Sequence, residues 1–411
     1  MPREKLPINP TLVEWARTRA GFTIQEASEK FTRIEAWEAG EDSPTYPQLE
    51  RLADEFKVPI AVFFFPEPPQ LPPIRESFRT LPDAEFSQIP RRVGFLLRKA
   101  KALQMNLAEL SQGRNPAVRL ITRDLAFEDN VPVEAMATRV RDYLGVTLAG
   151  QYAWADDDVA LKAWRKSLLD TGIFVFKDQF RVGGYSGFSL YDDVFPIIYV
   201  NNTSAKTRQM FTLFHELAHL LFHTSGIDPL EDRYISTLPV RQRRIETLCN
   251  RFATQFLVPE TAFAEAIAAH DHSERTAEII AARFHVSREV IYRKFLDRRW
   301  IDQAEYNRAA RQWAGQRQPG SGGGDFYRST ISYLGRDYMS LAFNQYYQNR
   351  IDAEQLGEYL NTKPRNISTL EEYFSRGSQS ATSSTTRPSP RSSKLSTATV
   401  FPVFGCVLTT S

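Results

Sequence analysis

Apolar residues follow a helical rhythm along most of this chain, and a two-residue rhythm replaces it only between residues 172 and 202. Residues 9–65 break into short helices joined by tight turns. Asn9-Pro10 supplies a cap and a proline at the first helical position, and Leu12, Val13, Trp15 and Ala16 mark one apolar face. Gly21-Phe22-Thr23 ends that helix and caps the next, which carries Ile24, Ala27 and Phe31; Ile34–Gly40, Leu49–Ala53 and Val58–Pro66 complete the segment. Helical spacing returns over 88–112, 131–145 and 157–170. Trp15, Trp154 and Trp164 read as core or helix-contact residues. Strands are predicted at Gly172–Phe176, Val182–Leu190 and Phe195–Asn202, with Gly183, Gly184 and Gly187 as turn residues. Asn201-Asn202-Thr203-Ser204 then caps a helix through Met210–His223, where almost every position is apolar. Further helices follow over 244–259, over 274–299 on either side of His285-Val286-Ser287, and over 326–375. The predicted class is α+β and mostly helical, with a small mixed sheet just before a buried helix.

Composition shifts divide this pattern. Pro66–Pro73 reads as a stiff linker and Gln318–Gly324 as a flexible joint. From Gly377 onward Ser, Thr, Arg and Pro dominate, as in a disordered tail. The expected units are a helical module at 1–66, a connector at 67–150, a main domain at 151–315, a helical interaction module at 325–376 and the tail at 377–411. A net charge of +2 gives no strong pull toward nucleic acid or an anionic membrane. Two cysteines, Cys249 and Cys406, make no disulfide framework and suit a reducing cytoplasm. The opening MPREKLPINP lacks the apolar core of a signal peptide, and no apolar run is long enough to span a membrane.

The chemistry is concentrated in the oily helix. It contains His215-Glu216-Leu217-Ala218-His219, and three of the chain's 6 histidines (His215, His219 and His223) fall within it. On a helix the first two rings lie about 6 Å apart along one face, so both can converge on one zinc ion. Glu216 is turned by roughly 100°, within reach of a water at that ion without ligating it. Burying three ionisable groups in an apolar helix without a metal or partners costs several kcal/mol, which favours the metal over satisfied core histidines.

A catalytic zinc needs a third protein ligand and an open position. His223 lies about 12 Å along the axis from His215, too far for one ion to bridge on a straight helix, so it reads as a supporting or structural residue. Leu220-Leu221-Phe222 continues the helix where a metzincin requires a glycine turn. Glu246, at the border of the apolar stripe formed by Ile245, Leu248, Cys249, Phe252 and Phe256, is placed as a gluzincin-type helix delivers its carboxylate. From spacing alone a solvated surface glutamate is the plainer reading. Asp228, Glu231, Asp232 and Cys249 remain rivals, with Cys249 reading better as packing. Asn250 and His223 are the candidate supporting residues.

The pair F-T-L-F-H-E-L-A-H-L-L-F-H and E-x-x-x-N-R-F-A-x-x-F-L-V-P resembles the ImmA/IrrE metallopeptidases. Gly187-Phe188, Ile198-Tyr199-Val200-Asn201 and the N-terminal segment ending in Phe-Phe-Phe-Pro-Glu-Pro-Pro add to the likeness, which spans roughly residues 9–300. Cys249 stands where that family usually has Ala. The resemblance implies a zincin-like fold, zinc held by His215, His219 and Glu246, and Glu216 as catalytic base. It also implies site-specific cleavage of an XRE-type transcriptional repressor, relieving repression under stress. The alternative is a DNA-binding regulator or antitoxin whose zinc is structural or silent. Residues 9–65 resemble the helix-turn-helix of the Cro/C1 (XRE) repressors, through Trp37-Glu38-Ala39-Gly40 and Pro44-Thr45 followed by Leu49, Leu52 and Ala53. Almost no room is left between Phe31 and Ile34 for the start of a base-reading helix, and Glu35, Glu38, Glu41 and Asp42 would repel phosphates. A degenerate module kept for packing or protein contact is therefore preferred over a DNA contact. The helices over 274–299 are similar to a second small helix-turn-helix, for which packing in the main domain is the plainer reading.

Overall fold

The computed structural model describes residues 5–69, 89–229, 238–315 and 325–382. Half of the Pro66–Pro73 linker, the Gln318–Gly324 joint, Glu231, Asp232, Cys406 and the Ser/Thr-rich tail beyond Thr382 lie outside the described residues. The class is α+β and mostly helical, as expected from the sequence. Among the described residues no helix is long and apolar enough to cross a membrane.

One mixed sheet organises the molecule. Its strands are β1 (Phe174–Asp178), β2 (Tyr185–Leu190), β3 (Ile197–Asn201) and β4 (Ile227–Pro229), in the order β1-β3-β2-β4. β1 runs parallel to β3, while β2 is antiparallel to both β3 and β4. The three strands predicted from the sequence are all present; β4 is an addition. Successive strand side chains point to opposite faces, and here both faces are covered. Val175, Ile198 and Val200 belong to one apolar cluster, whereas Phe174, Phe176, Phe188, Ile197 and Tyr199 belong to another. A sheet buried on both sides explains why Ile197-Ile198-Tyr199-Val200 is unbroken by polar residues.

The first cluster packs the helices Val133–Leu144, Asp157–Asp170, Lys206–Leu221 and Val240–Leu257 onto one face, together with Glu260–Ile267, Glu274–Phe284 and Arg288–Asp297. Ile280, Ile291 and Phe295 are buried in it, so the helix pair on either side of His285 is committed to this core. The second cluster brings the long helix Arg91–Leu110 and residues 326–374 onto the opposite face. Tyr338 is fully buried there, edge-on to Phe176 at 5.3 Å, and its hydroxyl donates to the Tyr359 carbonyl at 3.1 Å. The last helix runs from Ile367 to Thr382, past the point where composition turns polar.

Residues 12–63 form a third cluster of their own. Asn9 caps Pro10–Arg19, and reciprocal capping boxes start Ile24–Lys30 (Thr23 with Glu26) and Tyr46–Phe56 (Thr45 with Gln48). The helix between them, Ile34–Glu38, has only 5 residues. Glu38 is committed inward, accepting from Arg17 Nε at 2.6 Å and Nη2 at 3.0 Å. This unit meets the rest through Arg91, which bonds Glu26 at 2.7 Å and lies 4.2 Å over the Phe22 ring. Gly21, at φ 79°, leaves the space that the Arg91 stem fills.

Candidate metal centre

Two helices packed side by side build the site. Lys206–Leu221 presents its histidines toward Val240–Leu257, and aromatic contacts between the two helices fix their register. Phe214 stacks on Phe256 at 4.1 Å, and Trp164 meets both rings at 4.8 and 5.4 Å. With Phe252, Phe256, Ala253 and Cys249 buried in the core, Glu246 and Asn250, four residues apart, share the face that looks onto the histidines.

The resulting geometry is tight. His215 Nε2 and His219 Nε2 are 3.2 Å apart, and each lies 3.3 Å from an oxygen of Glu246. His215, His219 and Glu246 are all buried, and one ligand atom from each falls within 4.8 Å of the others. Donors about 2.0–2.1 Å from a small tetrahedral ion stand roughly 3.3 Å from one another, so the spacing fits a single divalent cation. Asn250 Oδ1 lies 3.0 Å from His215 Nδ1. A carbonyl oxygen can only accept, so the ring proton sits on Nδ1 and the Nε2 lone pair faces the cluster, as a ligand requires. On His219 the corresponding nitrogen is 3.5 Å from the Thr224 hydroxyl, which itself donates to the His219 carbonyl at 3.0 Å. Burial alone would raise the Glu246 pKa, but the His219 and His215 rings outweigh it and hold the carboxyl well below the ordinary range. With the rings neutral, as ligation requires, a cation would take over the role that protonated imidazoles play for this buried carboxylate.

Glu216 is tied to β2 instead. Its Oε2 accepts from the Ser189 hydroxyl at 2.7 Å, and that hydroxyl accepts in turn from the Gly226 amide at 3.2 Å. The helix lies so close to β2 that a Cβ at Gly187 would sit 2.5 Å from Thr212 Cγ2 and 2.8 Å from the Tyr199 carbonyl. Gly187 is thus a close-approach residue inside a strand, where the sequence had suggested a turn. Ser189 and Gly226 were not visible in the sequence, because their roles exist only once β2 and β4 lie beside the helix.

The other candidates fall elsewhere. His223 sits past the helix end at φ 55°, its Nε2 is 3.0 Å from the Thr122 carbonyl, and its ring is 5.0 Å from Tyr191. Cys249 is fully buried in the apolar cluster. Asp228 forms part of β4, opposite Gly187. A cleft of about 1010 Å³ opens beside the two helices; its walls include Arg208, Phe211, Arg243, Asn250 and Arg251 but stop short of His215, His219 and Glu246.

Residues 169–296 match the Peptidase_M78 family model, described as the IrrE N-terminal-like domain. The matched stretch begins just before β1, ends within Arg288–Asp297 and holds the whole cluster. The M78 match supports a metallopeptidase or regulator role for this region. A solved structure titled "Mycobacterium tuberculosis transcriptional regulator" is similar at 16% identity and a TM-score of 0.28, covering 47% of this chain and 50% of that one. None of the curated proteins matches the chain.

Proposed function

We propose that the protein is a zinc-dependent endopeptidase acting on a specific regulatory protein, with an XRE-type repressor as the substrate implied by resemblance. The observation that carries this reading is the buried triangle of His215, His219 and Glu246 beside a further carboxylate, Glu216. Zinc held there would polarise the scissile carbonyl and make a water nucleophilic near neutral pH. Glu216 would be the group that accepts a proton from water at such an ion and passes it to the leaving amine. Ser189 keeps the Glu216 carboxylate at one orientation through its 2.7 Å hydrogen bond, and Asn250 does the same for the His215 ring. A carboxylate not needed for binding the ion separates chemistry from metal affinity. Glu216→Gln is therefore expected to retain one zinc per chain and lose about 10²–10⁴-fold in cleavage rate. The assay is a gel of a candidate XRE-type repressor, with and without chelator; undiminished cleavage by the variant would remove Glu216 from the mechanism.

A second reading is favoured by one observation. His215, Glu216, His219 and Glu246 are only 1, 0, 3 and 8% exposed, as suits a regulator with a structural or silent ion. Zinc content without cleavage of any partner, together with a salt-dependent DNA shift by residues 1–69, would select that reading.

A further inference from the structure

The burial of the site has a specific cause. An extended peptide binds a sheet edge by adding a strand, and main-chain hydrogen bonds supply the grip. β2 is the strand that runs against the Lys206–Leu221 helix and carries Ser189 to Glu216. Its side away from β3 is the edge nearest the ligand cluster, and the chain itself fills it. β4 lies antiparallel along this edge, with Phe188 opposite Ile227 and Gly187 opposite Asp228. The Ser189 amide donates to the Gly226 carbonyl at 3.0 Å. Gly226 passes directly over the His219 ring, where a Cβ would come within 2.4 Å of Cδ2. Its amide also bonds the Ser189 hydroxyl that holds Glu216. Ile227 anchors the segment in the apolar cluster that contains Phe188.

We infer that residues 226–229 occupy the strand position on β2 that a substrate peptide takes, so that the protein competes with its own substrate. This rests on the endopeptidase reading and specifies its resting state. The partner that fits the vacated edge is an extended polypeptide segment entering antiparallel to β2, as β4 does. The occupant is built to leave. β4 is only 3 residues long, its pairing with β2 is irregular between Tyr185 and Gly187, and it ends at Pro229, which has no amide to donate. Such short pairings open far more readily than the sheet core. β1, β2 and β3, buried on both faces, stay in place.

The test uses the full chain loaded with zinc. Gly226→Ala forces a methyl group into the His219 ring and should lift the segment. A Tyr185→Cys, Pro229→Cys pair in a Cys406→Ser background joins positions that face each other across the two strands and should pin it when oxidised. Two readouts are independent of turnover: the rate at which a fluorescent chelator strips the zinc, and amide hydrogen exchange over residues 185–190. Gly226→Ala should raise both by about tenfold or more, the equivalent of losing one or two hydrogen bonds from a local opening equilibrium. The oxidised pair should slow both and block cleavage, and reduction of the same molecules should restore them. Equal chelator and exchange rates in wild type, Gly226→Ala and both states of the cysteine pair would overturn the inference. Zinc that binds, with rates that move as expected but no cleavage in any form, would instead remove the endopeptidase reading and leave β4 as a cover over a silent site.

Discussion

Asn250 shows how much one side chain outside the cluster of His215, His219 and Glu246 decides. Its Oδ1, 3.0 Å from His215 Nδ1, selects the tautomer whose Nε2 can bind a cation. Asn250→Ala is expected to weaken zinc binding by about 10–100-fold, the usual loss when the partner of a ligating histidine is removed. Competition with a chromophoric chelator measures it, and unchanged affinity would show that the ring is oriented by packing alone. Asn250 was legible as a candidate because it stands four residues after Glu246, on the same helical face. Ser189 was not, since a serine in a strand carries no sign of the helix that will lie beside it. His223 illustrates the converse: proximity in sequence to His219 led instead to the Thr122 carbonyl and the Tyr191 ring.

At the scale of elements, β1 carries a residue that its apolar pattern does not explain. Lys177 is buried, and desolvation, with repulsion from Arg165, Lys206 and Lys162 against attraction to Asp158, lowers its pKa to about 6. The unfolded side chain titrates near 10.4, so between roughly pH 6 and 10 the unfolded chain binds a proton that the folded one lacks. Wild-type stability should therefore rise with pH across this window, and below it the full burial penalty applies. Lys177→Met should gain about 1–3 kcal/mol at pH 7 and lose that slope. Urea melts at pH 7 and 9 test both, and parallel slopes for the two proteins would show that the ammonium finds compensation. The same strand was predicted from its apolar run, and so were β2 and β3. β4 escaped because three residues after a helix end have no periodicity to read.

Across the whole molecule, the sheet is a partition between two cores. Truncating the chain at residue 324 would strip the second core of Tyr338, Met339, Phe343 and Leu356 and expose Phe176 and Tyr199. Loss of one buried aromatic alone costs about 3–5 kcal/mol, so the truncated protein is expected to aggregate or melt far below the full chain. Removal of residues 1–69, whose cluster is self-contained, should leave the main melting transition nearly unchanged. Calorimetry of both truncations distinguishes these outcomes; a C-terminal truncation that melts like the full chain would show that residues 326–374 are only appended. The sequence marked 325–376 as a helical unit by composition, but no sequence pattern states which surface such helices will cover.

What the sequence determined by itself was local and periodic. The apolar helix with His215, Glu216 and His219, the amphipathic helix with Glu246, the three longer strands and the caps at Asn9 and Thr23 all follow from spacing and residue type, because helices and strands are set by neighbours within a few positions. Tertiary structure alone decided which carboxylate meets the histidines, since that depends on the register of two helices locked by Phe214, Phe256 and Trp164. It likewise decided that β4 returns across β2, that Gly226 lies on His219, and that both faces of the sheet are covered. These are contacts between segments far apart along the chain, and they arise from shape and burial that no single segment encodes.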